Sequence, residues 1–188
     1  MFIPFLPVSK THKAVDSNIS GTNELLFFEF GRQGMKVGLE SFKFGKGKIV
    51  LMPASLCPAV IEPFSNIGIK VKLYNLDKHL QWNLSDIKER ITPNTVAIYV
   101  IHYFGVTYDL MEIRAFCDER GIILIEDCAL AGFDSRSPVG KFGDLVIFSL
   151  WKFHAMTDGA ALKMNNYSSD GIKPEWAPPN WASLAKRQ

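Results

Sequence analysis

Residues 148–162, FSLWKFHAMTDGAAL, contain a lysine and a histidine close together. The Lys152 amine can bond covalently to a carbonyl compound, and the His154 imidazole can transfer protons near neutral pH. Ser149 lies three residues before the lysine, a spacing that also occurs in penicillin-binding acyl-transferases. We discount that interpretation because no Ser-Asp-Asn or Lys-Thr-Gly motif follows. If this segment carries a reactive residue, it is therefore either Lys152 or His154; otherwise Lys152 is a cation at a strand end and His154 an ordinary loop histidine.

Other side chains suited to chemistry come directly after apolar segments. His102 follows one such run, and Asp127 ends another. In a parallel sheet, ligands bind beyond the carboxyl ends of the strands, so both side chains belong to one edge together with residues 149–154. Glu126 precedes Asp127, and on an extended strand its side chain points to the opposite face. We interpret Glu126 as a solvated or ion-paired neighbour.

The hydrophobic pattern predicts the sheet that these residues need. Short apolar runs alternate with amphipathic segments from about residue 33 onward. Such a pattern predicts an α/β fold, a three-layer sandwich with a mostly parallel sheet covered by helices on both faces. The predicted strands cover residues 48–53, 70–76, 95–105, 122–129, 143–150 and 159–165.

Helices are predicted between these strands. The segments are residues 33–44, 55–68, 84–93 and 108–121. Ser55 is the expected N-cap of the second helix. In the fourth, Leu110, Ile113 and Phe116 share one face, and Gly121 is the expected stop.

The overall composition excludes several classes of protein. The 188 residues suit one domain, and 47% hydrophobic with 21% charged residues is a globular composition. A net charge of +2 predicts no nucleic-acid partner, and the longest apolar runs are too short to span a membrane. The three cysteines lack metal-ligand spacing, and the start has no basic segment typical of a signal peptide. We therefore expect a cytoplasmic protein with no metal site and no membrane partner.

Several motifs follow one another in an order typical of one enzyme family. They are GRQG (31–34), YNLD (74–77), IHYFG (101–105), LIEDCALAG (124–132) and GKFGDLVIFSL (140–150), then Lys152 and DGAAL (158–162). Over about residues 25 to 165, this series resembles the DegT/DnrJ/StrS nucleotide-sugar aminotransferases. The resemblance implies fold type I, with a partial large domain like that of aspartate aminotransferase. It also implies pyridoxal 5′-phosphate as the cofactor.

The resemblance implies roles for individual residues. Asp127 matches the family aspartate that keeps the cofactor's pyridine nitrogen protonated. Ser149 matches the serine that binds the cofactor phosphate, and backbone N–H groups near Gly31, at a helix start, suit the same phosphate. Arg32 is predicted either to add charge there or to be a surface cation.

Two further positions are weaker candidates for binding the cofactor. His102 resembles a family histidine near the cofactor, although a structural histidine is an equal alternative. Leu130 stands where the family usually has Gln or His. Leucine can stack on the cofactor ring but cannot donate a hydrogen bond to it.

The family's spacing rules give two different residues as the cofactor anchor. Counted forward from Ser149, the commoner spacing leads to His154; counted back from Asp158 and Gly159, the family pattern leads to Lys152. One branch of the family shortens the first gap and keeps the second, and this chain fits that branch. Because only a primary amine can hold the cofactor aldehyde covalently, we predict Lys152 as the anchor.

The expected function follows from the resemblance. It is transfer of an amino group, with glutamate as the donor, to a keto-sugar nucleotide for surface polysaccharide biosynthesis, by a homodimer. We expect an irregular arm over residues 1–30, a cofactor-binding large domain over residues 31–165 and a polar tail over residues 166–188. Because family members are about twice as long, we expect truncation after the large domain, without the C-terminal small domain.

Two alternatives stay open. The first is a non-catalytic remnant that folds or binds cofactor without turnover. The second is a sugar 3-dehydratase of the same superfamily, in which a histidine replaces the lysine. His154 would then be the reactive residue.

Overall fold

The structure, a computed structural model, describes residues 25–132 and 139–165. One sheet organises this part of the chain. Its strands are β1 (Leu25–Phe28), β2 (Ile49–Pro53), β3 (Lys70–Tyr74), β4 (Thr95–Ile101), β5 (Ile123–Asp127), β6 (Leu145–Ser149) and β7 (Ala160–Met164). They lie side by side in the order β1-β7-β6-β5-β4-β2-β3. The described helices are α1 (Gly31–Ser41), α2 (Glu62–Asn66), α3 (Leu84–Arg90) and α4 (Met111–Arg120).

The sheet is mostly parallel, as predicted. Strands β2 to β6 pair in parallel, whereas β7 runs antiparallel to both β6 and β1. In the register of the central strands, Ile101 pairs with Asp127, and Asp127 pairs with Ile147. The carboxyl ends of β4, β5 and β6 therefore meet at one edge of the sheet.

Helices cover both faces of the sheet because the central strands are apolar on both sides. On β4, Tyr99 and Ile101 face the layer formed by α1 and α2. Ile98 and Val100 face the opposite layer, which α3 and α4 form. This alternation follows from the two-residue period of a strand, and it confirms the predicted three-layer α/β fold.

Helix α1 lies unusually close to the sheet, and a glycine permits this approach. A Cβ atom on Gly38 would lie only 2.6 Å from Cδ2 of Leu145 on β6. The Gln33 side chain accepts a 2.8 Å hydrogen bond from the Phe30 N–H at the helix start. This bond and the close packing place the start of α1 above the carboxyl end of β6.

The segment before α2 differs from its prediction. Ser55 is not a helix N-cap, because a 3₁₀ turn covers Pro58–Val60 and α2 begins only at Glu62. A continuous helix is excluded by Pro63, which lacks an N–H and would clash with the carbonyl group of residue 59. The Ser55 carbonyl instead accepts a hydrogen bond from the Tyr103 hydroxyl.

The predicted N-terminal arm and C-terminal tail are mostly outside the described residues. Residues 1–24 and 166–188 are not described. Within the expected irregular arm, however, Leu25–Phe28 forms β1, because it pairs with β7 at the edge of the sheet. Among the described helices, none is long and apolar enough to cross a membrane.

Candidate active site

A pocket opens at the carboxyl edge of the sheet. It lies between the start of α1, the segment leading into α2 and the loop after β6, and it holds about 680 Å³ of empty space including its mouth. Its lining is mostly apolar, and its polar side chains in the described residues are Arg32, Tyr99, Asp127, Ser149 and Lys152. A few polar groups that converge on an apolar cavity are typical of a ligand site.

Asp127 is buried at the end of β5, and both of its carboxylate oxygens accept hydrogen bonds. The Tyr99 hydroxyl donates to Oδ2 at 2.6 Å, and the Ala129 N–H donates to Oδ1 at 2.8 Å. These two bonds fix the orientation of the carboxylate. Each oxygen still has a second lone pair, so the group can also bind a cationic N–H of a ligand.

The protonation of Asp127 reflects competing effects. Burial raises the pKa of this carboxyl group above its ordinary value, and it outweighs the hydrogen bonds from Tyr99 and Ala129 and the nearby positive charge of Lys152, which lower it. A ligand that brings a positive charge would favour the ionised form. The site is therefore suited to a cationic ring nitrogen.

Ser149, at the end of β6, and Lys152, in the loop between β6 and β7, both reach the pocket. The N–H groups of Leu150 and Trp151 both donate to the Gly159 carbonyl, at 2.9 and 3.3 Å, so the two ends of this loop are held together. Ser149 is buried, whereas Lys152 is exposed at the mouth, with Nζ 6.0 Å from the Trp151 ring centroid. An amine at the mouth is accessible to a ligand that enters.

His154 does not line the pocket, although it lies only two residues beyond Lys152. Its side chain is exposed, and its N–H donates to the Leu150 carbonyl at 3.0 Å. This turn carries the histidine away from the cavity. Of the two reactive candidates in this segment, the structure brings Lys152 to Asp127 and Ser149.

Gly31 and Arg32 lie at the start of α1 and in the lining of the pocket, and Arg32 is exposed. The Arg32 guanidinium lies over the Phe30 ring, 4.6 Å from its centroid. This contact holds the charged group near the pocket mouth. The helix start adds a positive field of its own, which favours an anion.

His102 is buried and lies outside the pocket lining. Its Nδ1 accepts a hydrogen bond from the Tyr108 N–H at 3.1 Å, so the proton is assigned to Nε2, which is 3.0 Å from Oε1 of Glu126. Both ring nitrogens are therefore used within the protein. The geometry matches the structural alternative for His102.

The prediction for Glu126 is a solvated or ion-paired neighbour; it is completely buried and not solvated, but it pairs with His102, and its expected opposite orientation to Asp127 is observed. Its carboxylate accepts hydrogen bonds from the N–H groups of Gly140, Phe142 and Gly143, at 2.6, 3.1 and 2.8 Å. Burial acts to raise the pKa of Glu126, but the bonds from His102, Gly140 and Gly143 outweigh it and lower the pKa. The carboxylate is charged and holds the loop at residues 139–143.

Glu126 also belongs to a cluster of metal-ligating side chains, together with His102 and Cys128. The hydrogen bonds to Glu126 and to both ring nitrogens of His102 occupy the atoms that a metal would need. Burial strongly raises the pKa of Cys128, which disfavours the thiolate that binds metals. We interpret this cluster as structural.

Leu130 packs against the core beneath α1 and does not line the pocket. Its carbonyl accepts a 2.8 Å hydrogen bond from the Gly105 N–H. The neighbouring Ala129 lines the pocket instead. The structure therefore does not bring Leu130 together with Asp127, Ser149 and Lys152.

The pocket fits pyridoxal phosphate by the chemistry of its donors. Asp127 is suited to the pyridine nitrogen, Lys152 to the aldehyde, and Ser149 with Arg32 and the start of α1 to the phosphate. Apolar side chains such as Ile147 line the space between these groups and suit an aromatic ring.

Comparisons with known proteins identify what the sequence is similar to. The model of the DegT/DnrJ/EryC1/StrS aminotransferase family matches residues 18–166. A curated relative, the dTDP-4-dehydro-2,3,6-trideoxy-D-glucose 4-aminotransferase of Saccharopolyspora spinosa, is 29% identical over 155 residues. That match covers 80% of this chain and 40% of the relative, so the chain spans less than half of the relative's length.

Solved structures share the fold. The aminotransferase TlmJ from Streptoalloteichus hindustanus is similar with a TM-score of 0.66 and 27% identity, over 76% of this chain and 40% of that one. The GDP-4-keto-6-deoxy-D-mannose-3-dehydratase of E. coli with bound hydrated pyridoxal phosphate gives a TM-score of 0.64 at 22% identity, over 76% and 39% of the two chains. The predicted cofactor is therefore confirmed as that of the family.

Proposed function

The chain belongs to the DegT/DnrJ/EryC1/StrS aminotransferase family, and from this premise we propose that it binds pyridoxal 5′-phosphate beside Asp127 and transfers an amino group to a keto-sugar nucleotide. The observation that carries the proposal is the convergence of three side chains on one pocket. Asp127 and Ser149 are buried residues of its lining, and Lys152 lies at its mouth.

Bound pyridoxal phosphate supplies an electron sink for breaking bonds at the carbon that carries the amino group. Asp127 makes this sink effective, because its negative charge keeps the proton on the ring nitrogen. The Tyr99 and Ala129 hydrogen bonds hold the carboxylate in the orientation that this task requires. Ser149, Arg32 and the start of α1 bind the phosphate and so fix the position of the ring.

Lys152 has two tasks in the proposed reaction. Its Nζ holds the cofactor before the substrate arrives, and it then removes a proton from the substrate carbon and returns one. The exposed position of the amine at the pocket mouth supports both tasks, because the substrate must reach it.

The remaining parts of the proposal concern the complete protein. The named substrate of the Saccharopolyspora spinosa relative supports a keto-sugar nucleotide as the acceptor. We propose glutamate as the amino donor, a role in surface polysaccharide biosynthesis, a cytoplasmic location and a homodimer. In this proposal residues 31–165 are the cofactor-binding large domain.

Covalent capture of the cofactor tests the proposal. The purified chain is mixed with pyridoxal phosphate, reduced with borohydride and digested, and the modified peptide is identified by mass spectrometry. We expect the adduct on Lys152 and its loss in Lys152→Ala. The control is Lys141→Ala, which removes an exposed lysine outside the pocket and should leave the adduct unchanged. An unmodified Lys152 in the wild-type chain contradicts the proposal.

Further variants separate the two alternatives. A cofactor complex that survives Lys152→Ala but is lost in His154→Ala would favour the 3-dehydratase. The unreduced complex with the cofactor is also mixed with glutamate. If Lys152 binds the cofactor but glutamate cannot convert it to its amine form, the result would favour a non-catalytic remnant. The conversion is followed by the absorbance of the bound cofactor.

A further inference from the structure

Tyr99 is a buried residue of the pocket whose hydroxyl does not point to solvent. It lies on β4, two residues before Ile101, and its side chain shares the face of the sheet on which Asp127 lies. The ring packs edge-on against Phe64 of α2, with 6.0 Å between the ring centroids and 75° between the ring planes. Strand pairing and ring packing together fix the position of its hydroxyl oxygen.

The Tyr99 hydroxyl bonds directly to the carboxylate of Asp127. It donates a 2.6 Å hydrogen bond to Oδ2 of Asp127, while the Ala129 N–H holds Oδ1. We propose that Tyr99 is a positioning residue that holds the Asp127 carboxylate toward the ring nitrogen of the cofactor and favours its ionised form. The proposal rests on the proposed function, because it presumes that Asp127 binds this nitrogen.

The need for such a donor follows from the surroundings of Asp127. Burial raises the pKa of its carboxyl group, and an uncharged acid could not stabilise a pyridinium nitrogen. The opposing contributions come from the hydrogen bonds of Tyr99 and Ala129 and from the positive charge of Lys152, with a smaller electrostatic contribution from the neighbouring His102 ring. Among the described residues, Tyr103 and Cys128 also interact electrostatically with Asp127, and burial raises the pKa of both.

Of these groups, Tyr99 is the side chain that bonds directly to the carboxylate in the described residues. Burial and the neighbouring charge of Asp127 raise the pKa of the Tyr99 hydroxyl well above its ordinary value. The hydroxyl therefore keeps its proton and acts as a donor throughout the pH range of the protein. Lys152 is exposed at the pocket mouth, where solvent weakens the effect of its charge on the pKa of Asp127.

Cofactor affinity in Tyr99→Phe tests the proposal. The probe is pyridoxamine 5′-phosphate, which has no aldehyde and so binds without a covalent bond to Lys152. By calorimetric titration of the full chain, we expect the dissociation constant to rise about ten-fold, since a neutral donor to a buried charge is lost. The matched control is Tyr74→Phe, a buried tyrosine outside the pocket whose hydroxyl donates to the Tyr99 carbonyl at 2.8 Å. It should change the constant less than about two-fold.

The pH dependence of the affinity distinguishes positioning from general support of the fold. Loss of the Tyr99 bond raises the pKa of Asp127 further, so the acidic limit of probe binding should move to higher pH. The probe's own titrations are common to all variants and cancel in the comparison. A purely structural role would lower the affinity equally at every pH.

Asp127→Asn provides the second test. If Tyr99 acts through Asp127, then Tyr99→Phe should have little further effect on affinity in the Asp127→Asn background. Equal effects of Tyr99→Phe with and without Asp127 would overturn the inference, as would unchanged or tighter binding by Tyr99→Phe alone. Failure of the wild-type chain to bind the probe would instead overturn the proposed function, and the inference with it. Urea unfolding of each variant shows whether the folded state is retained.

Discussion

Glu126 and Asp127 are consecutive residues, yet their carboxylates serve opposite faces of the sheet. Asp127 faces the pocket beneath α1, where Tyr99 and Ala129 hold it. Glu126 faces the other side and accepts hydrogen bonds from His102 and from three N–H groups of the loop at residues 139–143. Two adjacent positions of β5 thus have different surroundings: Glu126 holds a loop, and Asp127 lines the pocket.

The first prediction concerns the stability that Glu126 provides. Glu126→Gln should lower the free energy of unfolding by about 3 kcal/mol at pH 7, because an amide NH₂ would face backbone N–H donors in a buried site. Urea unfolding measures this loss. The control is Glu119→Gln, an exposed position on α4, which should change the free energy by less than about 0.5 kcal/mol.

The pH dependence of the Glu126 contribution has a definite sign. Its pKa in the folded chain lies below the ordinary value of 4.5. The unfolded chain therefore binds more protons in acid, so the stabilisation is fully present above pH 4.5 and is lost as pH falls toward the folded pKa. The stability difference between the wild-type chain and Glu126→Gln should shrink in that range. A difference that grows on acidification would contradict this account.

Gly143 provides the second prediction, because its backbone lies directly against Glu126. A Cβ atom there would lie 2.6 Å from Cβ of Glu126 and 2.7 Å from the Leu145 carbonyl oxygen. Since the carbonyl group belongs to the backbone of β6, the strand would have to move. We expect Gly143→Ala to cost about 3 kcal/mol of unfolding free energy, measured by urea titration.

Gly45→Ala is the matched control for this prediction. A Cβ atom on Gly45 would meet no atom within 4 Å. The substitution should be neutral or slightly stabilising, because alanine restricts the unfolded chain. Equal losses of stability in both variants would show that the close contact at Gly143 is not the cause.

The fold could be predicted because several local signals agree with one another. The runs that end at Ile101, Asp127 and Ser149 are apolar at consecutive positions, which is not typical of strands with one solvated face. The segments between them are amphipathic. This combination leaves few alternatives to a parallel sheet with helices on both sides. The rule that ligands bind at the carboxyl edge then selects His102, Asp127 and residues 149–154. Of these, Asp127, Ser149, Trp151 and Lys152 line the pocket, whereas His102 and His154 do not.

The parts that could not be predicted depend on contacts between distant segments. The charge of Glu126 suggests a solvated or ion-paired position, and only the fold shows that the N–H groups of residues 140, 142 and 143 replace water around it. The same holds for Tyr99, which in the sequence is one residue of an apolar strand, and only the pairing of β4 with β5 places Asp127 beside it. The two-residue period of a strand could have placed Tyr99 and Asp127 on one face of the sheet, but it does not predict that they form a hydrogen bond.

We expect the buried charge of Asp127 to lower the free energy of unfolding of the cofactor-free chain at neutral pH. Because burial raises its pKa in the folded chain, the folded state binds more protons than the unfolded state, and stability falls as pH rises from 3.8 through the folded pKa. Asp127→Asn removes this loss. At pH 7 it should keep or raise the free energy of unfolding, by up to about 2 kcal/mol, while it weakens pyridoxamine phosphate binding. A variant that is less stable at pH 7 but equally stable in acid would contradict the expectation.

The role of Arg32 in phosphate binding is the last prediction. Arg32 lines the pocket at the start of α1, with its guanidinium over the Phe30 ring. Arg32→Gln should weaken the binding of pyridoxamine phosphate about five-fold but leave that of pyridoxamine, which lacks the phosphate, within about two-fold. Lys36→Gln is the matched control, because it removes an equal charge from an exposed position of the same helix, where the lysine pairs with Glu40 and lies outside the pocket. If both variants weaken phosphate binding equally, then Arg32 acts only through the general charge of α1 and not as a phosphate contact.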